Sequence, residues 1–152
     1  MTINIIFVIL LVIFIGLLIL LIYTISSNKE NASLSYDCNK YKTNEVRCEL
    51  FGYSNFNVNA IEASIDDYLF KDVEFKMFSN WQGDYKNGQF MLVNSENNNN
   101  KFKIGDLFID SSKIQNKKLK IKNIKFVDSI GKEYKVDDLT IKIEEWKNEK
   151  EI

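Results

Sequence analysis

The chain has 152 residues, 45% hydrophobic and 27% charged, with a formal net charge of -1. That length allows one domain and does not suggest two. The balanced charge excludes an ordinary nucleic-acid binder, which carries a basic excess. With no His and only two Cys there is neither a Ser-His-Asp or Cys-His nucleophile system nor a four-ligand Cys/His zinc site. All 20 basic and 21 acidic residues lie at position 29 or later, so the averages combine two objects. Residues 1–28 form an uncharged apolar leader, and residues 29–152 form a polar segment the size of one globular domain.

Ile5 to Ile25 is apolar apart from Gly16, Tyr23 and Thr24. At about 1.5 Å per residue, a helix of this length crosses a hydrocarbon core of about 30 Å. A cleaved signal peptide has a basic n-region and an apolar core of about 7 to 15 residues, and neither feature fits. Thr24-Ile25-Ser26 is a weak small-residue cleavage site, so cleavage stays open as the alternative to an uncleaved anchor. The expectation is a single-pass membrane protein.

Charge and cysteines disagree about orientation. Lys29, Lys40, Lys42 and Arg47 follow the helix and no basic residue precedes it, which by the positive-inside rule favours a cytoplasmic domain. Cys38 and Cys48 form an even pair near the start of a small domain, which reads as a disulfide in an oxidising compartment. Two unpaired thiols are the alternative. The cysteines decide the expectation, an extracellular C-terminal domain.

After residue 28 no stretch holds a helical period over three turns, whereas period-two alternation with β-branched and aromatic residues recurs. Strands are expected at Ala32 to Cys38, Val46 to Phe51, Asn57 to Ile65 and Leu69 to Phe78. Asn87-Gly88 supplies a tight hairpin turn before Gln89 to Val93. Asn97 to Asn100 reads as a solvated loop. Strands follow at Lys101 to Asp110 and Lys118 to Asp128, the second changing face near Asn123 as a bulge does. Ser129-Ile130-Gly131 turns the chain into Glu133 to Val136, and Leu139, Ile141 and Ile143 mark the last strand. The tail from Glu144 to Ile152 is expected to fray. The expected fold class is all-β, a two-sheet antiparallel sandwich of about eight or nine strands behind one transmembrane helix.

The order of these strands resembles cohesin-like domains. The resemblance lies in Val58-Asn59-Ala60-Ile61-Glu62-Ala63-Ser64-Ile65, in Trp81-Gln82-Gly83, in Phe102 to Ile109 and in the closing hairpin from Ile124 to Tyr134. It covers roughly Ala32 to Ile143. It implies a jelly-roll-like sandwich related to carbohydrate-binding modules, acting as a docking or binding module on a surface protein, and the Cys38 and Cys48 pair resembles a disulfide variant of these domains. Cohesins of cellulase scaffolds recognise a Ca²⁺-binding dockerin. This chain departs from that pattern, with one copy, no dockerin-like duplicated loop and its own apolar helix.

The densest aromatic cluster is Phe78, Trp81 and Tyr85, with Gln82 and Asp84 between the last two. Rigid rings that stack on sugar faces, beside amides and carboxylates that pair with hydroxyls, make Trp81, Gln82, Asp84 and Tyr85 the candidate ligand-binding residues. The alternative is that Trp81 plugs the end of the sandwich. Tyr53 and Phe56, read as lying in a loop, form a second aromatic group. The acidic pairs Asp66-Asp67, Asp106 with Asp110, and Asp137-Asp138 are the only handle for glycoside hydrolysis, which needs two converging carboxyls; neighbouring Asp more often form turns. Asp66, Asp67 or Asp128 are the candidates for Ca²⁺, without the spacing of a loop site, so no metal and no cofactor are expected. Lys117, Lys118, Lys120, Lys122 and Lys125 form one basic run, read as a solvated face. The expected function is a membrane-anchored, non-catalytic binding or adhesion module contacting polysaccharide or a surface protein, and not nucleic acid. An assembly subunit is the alternative, and a small hydrolase a distant third.

Overall fold

The computed structural model describes residues 2–27, 30–65, 70–114 and 118–143. The chain divides into two compact units, Met1–Glu30 and Asn31–Ile152. In the first, Thr2–Ser27 is one α-helix, α1. Its side chains are apolar along nearly its whole length. The stretch Asn4–Ile25 is long and apolar enough to cross a membrane, a property that spans share with signal sequences.

The second unit is all-β, with eight strands among the described residues: β1 Ala32–Lys42, β2 Glu45–Ile65, β3 Val73–Met77, β4 Gln82–Lys86, β5 Gln89–Asp110, β6 Lys118–Val127, β7 Glu133–Lys135 and β8 Leu139–Lys142. Every pairing is antiparallel. Several strands depart from the expected boundaries. Val46 to Phe51 and Asn57 to Ile65 belong to one strand, β2, and Gln89 to Val93 and Lys101 to Asp110 to another, β5, so Asn97 to Asn100 is strand and not loop. Leu69 to Phe78 is shorter than expected as a strand, because a 3-10 turn over Phe70–Asp72 precedes β3.

These two long strands explain how one hydrogen-bonded sheet makes a sandwich. The first half of β2 pairs with β1 and with the second half of β5, to which β3 adds. The second half of β2 pairs with β6 and with the first half of β5, to which β4 adds, while β6 carries β7 and β8 on its other edge. Register breaks between Ser54 and Ala60 on β2 mark where the strands pass from one layer to the other. The expected two sheets are therefore two halves of a single sheet folded on itself.

The apolar faces of the halves meet. Phe75 lies 4.7 Å from Phe90 and Phe102 lies 5.9 Å from Phe126, centroid to centroid, each pair spanning the layers. Leu92, Leu107, Ile109, Ile121, Phe126 and Ile141 are fully buried, each contributing roughly 1.5 to 3 kcal/mol by burial. The bulge expected near Asn123 is present: Asn123 has a φ of 53°, and the register between β2 and β6 shifts beside it. Asn87 and Gly88 both have positive φ, 52° and 77°, which makes the tight β4–β5 hairpin. Cys38 and Cys48 face each other directly across β1 and β2 and are joined in a disulfide, and Cys48 is fully buried in the core.

Asp66, Asp67, Lys117 and the tail from Glu144 lie outside the described residues.

Candidate binding face

Period-two alternation sends Val46, Cys48 and Leu50 of β2 into the core and Arg47, Glu49, Phe51 and Tyr53 outward. On the neighbouring β5 the alternation is interrupted. Ile104 and Gly105 are both buried in succession, and the register against β2 shifts at the same place. This bulge places Lys103 and Asp106, three residues apart, on the same outer surface, where their side chains meet at 2.9 Å. Gly105 is required there, because a Cβ would stand 2.4 Å from the Lys76 carbonyl oxygen of β3.

An ion quartet follows at the centre of the face. Arg47 donates to Asp106 at 2.7 Å and lies 3.4 Å from Glu49, and the Lys103 ammonium bonds both Glu49 and Asp106. The hydrogen bond and charge of Asp106 hold the Arg47 guanidinium above its ordinary pKa, and the bond to Glu49 does the same for Lys103. The two cations and two carboxylates neutralise one another within the face, although the buried Arg47 Nε has no hydrogen-bond partner among the described residues, so a partner could cover them without leaving a charge uncompensated.

Aromatic rings stand around the quartet. Tyr41 meets Phe108 edge to face at 5.1 Å. The ammonium of Lys76 sits 5.0 Å over Phe108, that of Lys101 4.5 Å over Phe51 and that of Lys103 5.6 Å over Phe78. Tyr41, Tyr53 and Phe78 remain 51%, 47% and 44% exposed. Rigid, amphipathic rings of this kind are enriched at protein interfaces. Sequence reading missed the quartet, because the bulge at Ile104 and Gly105 changes which residues share a face. It noticed Tyr53 but placed it in a loop, whereas Tyr53 and Phe56 are both in β2.

The four residues expected to bind a ligand do not converge. Trp81 is only 4% exposed; its indole N–H donates to the Lys103 carbonyl at 3.0 Å and its ring packs toward Phe102. Trp81 is thus a core residue, the structural role weighed against ligand stacking. Tyr85 is also turned inward, against Phe75 and Phe90, with its hydroxyl on the Val73 carbonyl, and burial pushes its pKa up to about 12. Gln82 and Asp84, at alternate positions of β4, are exposed. Strand alternation separates the rings from the polar groups that were expected to act with them.

The acidic pairs are engaged elsewhere. Asp106 belongs to the quartet, while Asp110 accepts from the Ser112 hydroxyl and pairs with Lys113. The Ser112 hydrogen bond holds the Asp110 carboxyl below its ordinary range. Asp138 pairs with Lys120 and accepts from the Asn123 amide. Asp128, the described candidate for Ca²⁺, caps its own turn through Ile130, Lys132 and Tyr134. Among the described residues no group of three or more His, Cys, Asp or Glu is placed to hold a metal ion. In the basic run, Lys118, Lys120 and Lys122 alternate with buried residues and lie toward solvent, and Lys120 and Lys125 are paired with carboxylates.

No protein-family model matches the chain, and no curated protein matches it. Among solved structures, a cohesin module from a family 33 glycoside hydrolase of Clostridium perfringens superimposes with a TM-score of 0.54 at 8% identity, covering 74% of this chain and 95% of that module. The fold is cohesin-like. The likeness, at this identity, is one of architecture.

Proposed function

We propose that the chain is a non-catalytic binding module, held to a membrane by α1, whose cohesin-like domain stands on the extracellular side and docks a protein partner on the outer face of β1, β2, β5 and β3. The observation that carries this reading is the ring of exposed aromatics, Tyr41, Tyr53 and Phe78, around an internally neutralised ion quartet. The Cys38–Cys48 disulfide supports the exterior side, since such bonds persist in oxidising compartments. The cohesin-like fold supports a docking role. Among the described residues, hydrogen bonds hold the Asp110 and Asp128 carboxyls below their ordinary range, the opposite of the raised pKa that an acid for glycoside hydrolysis needs.

A second reading, an assembly subunit pairing through the opposite layer, draws on Met91 and Val93, which are exposed on β5 beside Glu62 and Ala60 of β2. Alanine variants of the two faces separate these readings. With the full chain in detergent, loss of the partner on Tyr53→Ala/Phe78→Ala supports the first, and loss on Met91→Ala/Val93→Ala supports the second.

A further inference from the structure

One groove of about 490 Å³ opens at the end of the domain where the β1–β2 turn, the segment before β3 and the end of β5 come together. Its volume falls within the range of small-ligand sites, yet its chemistry is not that of an apolar pocket. Val73 and Phe108 are its apolar side chains, and the others are charged or polar. Three lysines, Lys42, Lys71 and Lys113, face four carboxylates, Glu45, Asp72, Glu74 and Asp110. This balance gives no cationic excess for a phosphate. The contacts between the two sets are long: Lys113 stands 3.5 Å from Asp72 and 3.4 Å from Asp110, and Lys42 stands 3.5 Å from Glu45. Charge-assisted bonds close to about 2.7 to 2.9 Å, so Glu45 and Asp72 retain acceptor capacity for other donors; Asp110 accepts from Ser112 through Oδ1 and keeps its Oδ2, 3.4 Å from Lys113, for a further donor. Asn44 and Thr43 add an amide and a hydroxyl.

We infer that this groove is a saccharide site, taking two or three sugar units of a neutral polysaccharide with one sugar against Phe108. Phe108 gives the ring for the C–H face of a sugar. Glu45, Asp72 and Asp110 accept from its hydroxyls, and Asn44 and Lys71 donate to them. The Lys76 ammonium lies 5.0 Å over the Phe108 ring and 3.9 Å from Glu74, and Tyr41 meets the ring edge to face, so a sugar would take the place of the exposed Lys76 side chain on the ring. Trp81 has no part in the site. The inference goes beyond the docking role and does not rest on it: the groove shares Phe108 with the docking face, where that ring lies across from Arg47 and meets Tyr41, whereas Glu45, Asp72 and Asp110 belong to the groove alone.

The test is calorimetric titration of the full chain, in a detergent that is not a glycoside, with cellohexaose, maltohexaose and the hexamer of N-acetylglucosamine. Saturable binding of at least one, weakened about tenfold or more by both Phe108→Ala and Asp110→Asn, is the expected result. Asp110 is a surface residue, so its variant keeps the test valid if Phe108→Ala is poorly folded. Absence of binding for all three sugars, or binding that Asp110→Asn leaves unchanged, overturns the site. Capture of a protein partner through Tyr53 and Phe78 is a separate readout and stands or falls by itself.

Discussion

Asp128 organises the turn between β6 and β7. Its Oδ1 accepts from the backbone amides of Ile130 at 3.0 Å and Lys132 at 2.9 Å, its Oδ2 accepts from the Tyr134 hydroxyl at 2.9 Å, and Gly131 takes the positive φ of 82° that closes the turn. Burial alone would raise its pKa, but the two amides and the hydroxyl outweigh that effect and the carboxyl sits below its ordinary range. A depressed carboxyl contributes stability above the unfolded-state value of about 3.9 and loses it as the pH falls through the lower folded-state value. Asp128→Asn is therefore expected to lower the melting temperature at pH 7, with the gap to the wild type narrowing from about pH 4 downward. A gap of equal size at pH 7 and pH 2 would show that the charge of Asp128 does not matter. Asp as a turn former was legible in the sequence. The Tyr134 contact was not, because it depends on β7 returning beside β6.

A second expectation at this scale concerns Cys38 and Cys48. Replacing both with Ser removes a constraint on the unfolded chain, expected to cost about 2 to 3 kcal/mol in chemical denaturation from the loop length alone. A loss under about 0.5 kcal/mol would contradict a disulfide that ties β1 to the sheet.

Among the elements, β5 departs furthest from what its residues suggest. Four consecutive Asn favour turns, since their amides compete for nearby backbone groups. Here the strand passes between layers at that point, and the amides serve the passage. Buried Asn98 donates to the carbonyls of Val58 at 3.3 Å and Glu96 at 3.2 Å and accepts from Asn80. Asn99, beside it, is exposed, and its side chain bonds Asn57 and Asn100. Asn98→Ala is expected to cost about 1 to 3 kcal/mol in denaturant unfolding and Asn99→Ala about 0.5 kcal/mol or less. Equal costs would argue that residues 97–100 are the solvated loop that composition suggests. The strands with clean alternation, such as β3 and the parts of β6 on either side of Asn123, were legible, because one buried face leaves a period-two trace. The bulge at Ile104 and Gly105 left none, and with it went the ion quartet. Gly105→Ala, which would press a Cβ on the β3 backbone, is expected to lower the melting temperature by several degrees and to loosen β3, seen as faster amide exchange in Val73–Met77.

For the whole molecule, the division at the end of the leader was plain in the charge distribution, and the sandwich in the strand pattern. The binding surface was not. Aromatic residues look alike in a sequence whether they face in or out: of the cluster Phe78, Trp81 and Tyr85, Trp81 and Tyr85 turned inward, on the side opposite Gln82 and Asp84, and Phe78 stayed exposed. The exposed rings were Tyr41, Tyr53 and Phe78, scattered in sequence and gathered only by the pairing of β1, β2, β5 and β3. The docking role proposed above would be exercised through that surface. The most direct measurement is affinity capture with the tagged full chain from a membrane and extracellular fraction, comparing wild type, Tyr53→Ala/Phe78→Ala and Met91→Ala/Val93→Ala, with captured proteins quantified by mass spectrometry. One specific partner retained by the wild type and by Met91→Ala/Val93→Ala, and reduced about tenfold or more by Tyr53→Ala/Phe78→Ala, is the expected result. Partner recovery that Tyr53→Ala/Phe78→Ala leaves intact would contradict the account.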